Sequence, residues 1–288
     1  MPSLTPLIST DERDELLKNL VIPPRPDVLD KLMSLRQDPD ITLQKLDDII
    51  NEDPALCVAM LKAANTPILG RGRHITSVHQ AISLLGIKNV ISLVSGLVLR
   101  TRLTAETPPA LEQFWDSTLQ IAMISSALCD HIVHVTDDCR SFALFHNCGM
   151  AIMLMRFPSY NRTLRLVEMA SDDRIGLVEQ ELHGTRHDVV GYLVARSWNM
   201  PENFAKAILM QNDNTVMDTG PDAPLDHDGR MMVAVTRAAR HVWRTLTPGK
   251  EDTGWEARKD EVLNYLGMSD VEFEDWEDAM HQELAVTA

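Results

Sequence analysis

Histidine, cysteine and arginine are the residues here whose types could do chemistry, and they fall in a few clusters. Cys129, His131, His134 and Cys139 are of the types that ligate zinc through thiolate sulfur and imidazole nitrogen. Their spacing matches no familiar finger, although His131 and His134 share a helix face at i and i+3. The neighbouring Asp130, Asp137 and Asp138 fit the solvated end of a long helix instead. Cys148 would need an adjacent cation to become a reactive thiolate. No basic residue lies immediately beside it, though His146 is close in sequence, so a buried small hydrophobe is the plainer role. Met150, Met153 and Met155, with Ile152 and Leu154, cover most sides of one helix, as expected for a helix buried in the centre of a domain. His146, one turn before that run, and His187 both read as hydrogen-bonded core histidines. Gly70-Arg71-Gly72-Arg73-His74 is the one concentrated basic turn. Its two guanidiniums suit bidentate recognition of a phosphate or carboxylate, but it lacks the strand and helix of a phosphate-binding loop. We expect an exposed turn, with Arg71 and Arg73 contributing to partner docking.

The elements that must position these residues are helical. Aromatics make up 5 % of the 288 residues, and apolar residues recur every three to four positions, which predicts helix nearly throughout. Ser9 and Glu12 have capping-box spacing ahead of a helix over 11–20. Asp53-Pro54 is the sharpest start, because an N-cap carboxylate accepts orphan amides and a proline at the first position loses no bond. That helix should end near Asn65, a residue that tolerates the left-handed conformation. Thr42 caps another, Thr76 or Ser77 the next, and Gly86 closes it. Val90 to Leu99 is β-branched enough for a strand, but no partner hairpin exists and helix is the better reading. Later helices are expected over 107–134, 138–156, 159–170, 173–183 and 186–198, from Pro201, and from about Arg230.

Composition bounds the function classes. Lys and Arg total 27 against 42 Asp and Glu, a net −15 that repels a phosphate backbone, so neither nucleic acid nor a membrane surface is the expected partner. Residues 216–288 carry much of it, with 7 basic and 16 acidic side chains, and read as a solvated helical surface or a docking face for a basic partner. The four cysteines fit buried thiols in a reducing cytoplasm, and neither a signal peptide nor a membrane span is expected.

Several runs then fall in an order that is specific in content and spacing: Ile22-Pro23-Pro24-Arg25-Pro26, Glu52-Asp53-Pro54, Leu61-Lys62-Ala63-Ala64-Asn65, Ala81 to Gly86, Phe114-Trp115, Leu182 to His187, and Trp198-Asn199-Met200-Pro201. Together they resemble the HDOD family, the HD-related output domains of bacterial signalling proteins. The resemblance implies an all-α fold over residues 20–212, with an N-terminal helical lobe at about 20–102 and an HD-like lobe from about 107. A helical extension (1–19) precedes these, a loop (213–229) follows, and the C-terminal helices (230–288) complete the HD-like lobe and form an acidic tail. It also implies a regulatory or adaptor module working through signalling proteins, such as cyclic-dinucleotide or two-component systems.

Related HD phosphohydrolases hold one or two metal ions with a histidine, a His-Asp pair and a distant aspartate, and the ions activate a water. Carried over by position, the first histidine falls on Ser117, the pair reads His146-Asn147, a later histidine pair falls on Gln211-Asn212, and the final aspartate on Ala239. His187 remains. Two imidazoles without a carboxylate do not make a hydrolytic site, so the expectation is a non-enzymatic regulator with no catalytic residue, metal or cofactor. Ser117, His146, Asn147, His187 and Gln211 would then line a vestigial pocket. The rival readings are a weak metal-dependent phosphohydrolase and a nucleotide sensor using that pocket.

Overall fold

Helix starts fall where local hydrogen-bond chemistry puts them. A computed structural model describes residues 22, 24–36, 38–65, 74–103, 109–133, 135–169, 172–246 and 252–285. Within them, Thr42 accepts from the Lys45 amide, Asp53 from the amides of Ala55 and Leu56, and Ser77 from that of Gln80. Each cap satisfies donors that a first helical turn leaves open. The expected helix over 11–20, its capping box, and the Arg71 and Arg73 turn lie outside the described residues.

The first lobe comprises α1 (Asp27–Arg36), α2 (Leu43–Asn51), α3 (Pro54–Ala64), α4 (Val78–Leu85) and α5 (Ile87–Leu103). Gly86, at φ 81°, makes the turn between the last two. The β-branched run from Val90 to Leu99 is helical and buried almost end to end, since α5 packs on α1, α3 and α4 and also on the second lobe. Asn65 does cap α3, but not in the left-handed region: φ is −91°, and its side-chain amide bridges the Leu61 carbonyl (2.8 Å) and the backbone of Ile75 (2.7 and 2.8 Å). Side-chain hydrogen bonding replaces the backbone device expected from the residue type.

The second lobe comprises α6 (Pro109–His131), α7 (Asp137–Phe145), α8 (Cys148–Arg156), α9 (Tyr160–Met169), α10 (Asp172–His183), α11 (His187–Ser197), α12 (Glu202–Met210) and α13 (His227–Thr245). Then come α14 (Thr253–Glu256), α15 (Lys259–Leu266) and α16 (Asp270–Ala285). Helices α6, α7 and α13 pack against one another, and α8, α11 and α12 pack beside them. Arg25, in the proline-rich run, donates to the Trp198 carbonyl, which ties the start of the first lobe to the end of α11.

Three further expectations need correcting. The helix expected over 138–156 is broken at His146-Asn147 into α7 and α8. The methionine helix α8 is not buried all round either: Met150 and Met153 are buried, whereas Met155 is 50 % exposed because the end of α8 reaches solvent. The loop after Asp213 also ends slightly early, as Asp226 caps α13 through the Gly229 amide and the helix starts at His227.

Candidate functional site

Just after the break between α7 and α8 lies a close helix crossing that helps to build the site. A Cβ on Gly149 would lie 1.9 Å from the His187 carbonyl oxygen and 2.7 Å from the Gly191 amide. Backbone thus meets backbone where α8 crosses α11, a separation only glycine permits. That crossing sets His146, at the end of α7, near His187, the first residue of α11.

His146 is 1 % exposed. Its Nδ1–H donates to the Ala143 carbonyl at 2.7 Å, which leaves Nε2 as a lone-pair acceptor, buried and without a hydrogen-bond partner. Burial pushes its pKa down to about 3, assisted by the positive charge of Arg240 and by the neighbouring His187, so the ring is neutral near pH 7. The carbonyl of His146 accepts from Gln211 Nε2 at 2.6 Å, and the Gln211 carbonyl accepts from Arg237 Nη2 at 2.6 Å. One chain of bonds therefore joins the α7 end, the α12 end and α13.

His187 heads a second buried chain. Glu179 of α10 accepts through Oε2 from both the His187 amide (2.9 Å) and Nδ1–H (2.7 Å), and through Oε1 from the Tyr160 hydroxyl of α9. On the far side of the ring, Nε2 lies 3.2 Å from Asn212 Nδ2. Burial works against charge on the imidazole, but the Glu179 carboxylate and its hydrogen bond outweigh it and raise the His187 pKa. Burial likewise works against the Glu179 carboxylate, and His187 and Tyr160 lower its pKa overall.

The structure thus brings His146, His187, Gln211 and Asn212 together. Asn147 is half-buried at the N-cap of α8 and makes no side-chain cap bond. Ser117 sits half-buried on α6, its hydroxyl spent on the Phe114 carbonyl at 2.8 Å. Ala239 is fully buried in α13. Glu179 and Tyr160 escaped sequence reasoning, though one signal was there: Glu179 lies four residues after buried Ile175, an acid on the apolar face of an amphipathic helix.

The other candidates resolve simply. Cys148 is buried, with its thiol pKa pushed up to about 12 by desolvation, so it is inert. Cys129 and Cys139 are buried and His131 is exposed, while His134 lies outside the described residues. Among the described residues, no group of three His, Cys, Asp or Glu side chains is arranged to hold a metal ion, and no helix is long and apolar enough to cross a membrane. The bonded Nδ1 of His146 leaves its Nε2 free as a single imidazole donor, but His187 Nε2 faces Asn212, and among the described residues no carboxylates join the two rings in a metal-holding group, so the histidine and aspartate set of the HD phosphohydrolases is incomplete.

Comparison with known proteins adds the following. The family model for the HDOD domain matches residues 22–214. An HDOD domain protein of unknown function from Geobacter sulfurreducens superposes with a TM-score of 0.69 at 19 % identity, covering 96 % of this chain and 95 % of that one. A protein from Marinobacter aquaeolei, provisionally named for signal transduction, gives 0.67 at 19 % identity, over 92 % of this chain and 58 % of that one. One from Shewanella amazonensis, provisionally named a phosphohydrolase, gives 0.63 at 19 % identity, over 94 % and 92 %. An uncharacterized protein of Treponema pallidum is 22 % identical over 191 residues, which are 65 % of this chain but only 37 % of the relative's length. At such identities the solved structures speak to the fold alone.

Proposed function

Since this chain belongs to the HDOD domain family, we propose that it is a non-catalytic regulator of bacterial signal transduction that acts by binding signalling proteins. The observation that carries this reading is how the two surviving imidazoles are used. Hydrolysis of a phosphoester by the related enzymes requires imidazole and carboxylate donors turned toward an ion that lowers the pKa of water. Here His187 is clamped between Glu179 and Asn212, and the position of the bridging carboxylate holds Asn147. His146 offers one neutral nitrogen beside the positive charge of Arg240, which disfavours a cation. A base whose pKa is about 3 is also far from the operating pH at which general-base catalysis is effective. The polar side chains at this position instead fasten α7, α9, α10, α11, α12 and α13 to one another. A rigid helical scaffold of this kind suits a binding module whose partners belong to cyclic-dinucleotide or two-component systems.

The test is turnover. Wild-type protein and His146→Ala, each supplied with Mn²⁺, are assayed against bis-p-nitrophenyl phosphate. The expected result is the same background rate for both, unaffected by EDTA. A chelator-sensitive rate that His146→Ala abolishes would establish the phosphohydrolase reading instead.

A further inference from the structure

We propose that a cavity between the two lobes, separate from the His146 cluster, binds a small and mostly apolar molecule carrying one uncharged, hydrogen-bond-donating head. The cavity has a volume of about 230 Å³. Leu85 and Leu93 of the first lobe and Met123 and Leu144 of the second form its walls, and Met280 and Leu284 of α16 roof it. An apolar cavity of about 150 Å³ accommodates benzene, so this one has room for roughly nine non-hydrogen atoms. Pockets for drug-sized ligands typically start at about 300 Å³, so this one favours something smaller.

One end of the cavity is polar and already organised. Arg140 of α7 donates through Nη1 to Asn89 Oδ1 (3.1 Å), to the Ser126 carbonyl (2.9 Å) and to its hydroxyl oxygen (3.0 Å). Its Nη2 donates to Asp130 Oδ1 at 2.6 Å. Ser126 in turn donates to Asn89 Oδ1 at 2.5 Å, and the Ser92 and Ser141 hydroxyls bond at 3.1 Å. These groups come from α5, α6 and α7, so the polar wall is fixed by three helices before any ligand arrives.

The charge pairing selects the head group. Arg140 and Asp130 neutralise each other, so a carboxylate or phosphate head would have to split that pair and would meet Glu283 of the lining as well, while an ammonium head would have to draw Asp130 or Glu283 from the partners they already hold. A hydroxyl or ring N–H needs only an acceptor, and the serine oxygens and the Asp130 carboxylate retain lone pairs for it. The donors of Arg140, by contrast, are largely spent. An aliphatic alcohol or an indole-like heterocycle has the required size and chemistry. Because the walls come from both lobes and the roof from α16, occupancy would bear on all three at once.

The 288-residue chain, labelled with ¹³C at the methionine methyls, provides a direct readout. Of its 15 methionines, Met123 and Met280 line the cavity. Titration with indole and with hexan-1-ol is expected to give saturable shifts of those two methyls, assigned through Met123→Leu and Met280→Leu. Hexanoate is expected to bind at least tenfold more weakly, and Ala122→Phe, which fills the space, should abolish the response. The wild-type titration decides the matter even if that variant does not fold. No saturable shift of Met123 and Met280 up to the solubility of indole, or shifts confined to Met150 and Met153, would overturn the site. Hexanoate binding as tightly as hexanol would overturn the assigned head group.

Discussion

At the scale of single residues, the two histidines respond oppositely to their surroundings. His146 is held neutral by burial, with a pKa of about 3 against the ordinary 6.5. Below pH 6.5 the unfolded chain takes up a proton there that the folded chain refuses, so stability falls as pH drops from 6.5 toward 3. His146→Gln keeps a donor for the Ala143 carbonyl without a titrating group. The difference in unfolding free energy between wild type and this variant, from urea melts at pH 7 and pH 5, should shift against the wild type by on the order of 1–2 kcal/mol. His187 runs the other way, since Glu179 raises its pKa. Its stabilising contribution is full below the unfolded value of 6.5 and is lost as pH rises through the folded value. Glu179→Ala strands a buried imidazole and the Tyr160 hydroxyl together, and is expected to cost about 3–5 kcal/mol. Denaturant midpoints read that directly, and a cost below about 1 kcal/mol would show that the chain from Tyr160 to Asn212 holds little together.

At the scale of elements, the α8–α11 crossing governs the site. Gly149→Ala sets a methyl against the backbone of His187 and Gly191, which no rotamer change relieves. We expect at least about 3 kcal/mol of destabilisation, at the upper end of overpacking costs. Gly254, whose added Cβ would meet only Asp252 Oδ1 at 3.7 Å, should accept alanine within about 1 kcal/mol. Thermal melts of the two variants side by side isolate the crossing from the general effect of alanine. This contrast also shows how much the sequence could reveal. The caps at Thr42, Asp53 and Ser77 and the turn at Gly86 were legible because their causes lie within four residues. The α8–α11 crossing was not, because the carbonyl that Gly149 meets lies 38 positions away, and nothing in Cys148-Gly149 marks a helix crossing. Glu179 was hidden for a related reason: an acid in a helix reads as surface unless its register is checked against the apolar stripe.

At the scale of the molecule, two sets of polar linkages stand beside the Arg140 cluster, a buried set and a C-terminal set. The buried set fastens the second lobe around His146 and His187. The C-terminal set seats α14 and α16 on α13: His241 stacks on Trp255 at 4.4 Å, Arg244 pairs with Asp252 at 2.7 Å, and Thr245 donates to Glu277 at 2.7 Å. Burial works against the Asp252 carboxylate, but the hydrogen bond from His241 and the charges of Arg244 and Arg240 hold its pKa at about 2. That contribution is present above the ordinary 3.8 and is lost as pH falls toward 2. Asp252→Asn should therefore weaken α14 and α16 selectively, seen as faster amide exchange over 253–285 with little change in α11. The overall architecture was legible from helical periodicity and the ordered motifs, and Arg25 bonding to the Trp198 carbonyl shows why two distant motifs belong together.

Under the function proposed above, the His146 and His187 cluster serves as a hydrogen-bonded scaffold rather than as a metal centre. The most direct measurement is the metal content of untagged protein purified without chelators, by mass spectrometry against protein concentration. Manganese, iron, zinc and nickel together are expected to stay far below one ion per chain, and to remain so after incubation with each ion and desalting. One or more ions retained per chain, and lost in His146→Ala, would contradict it.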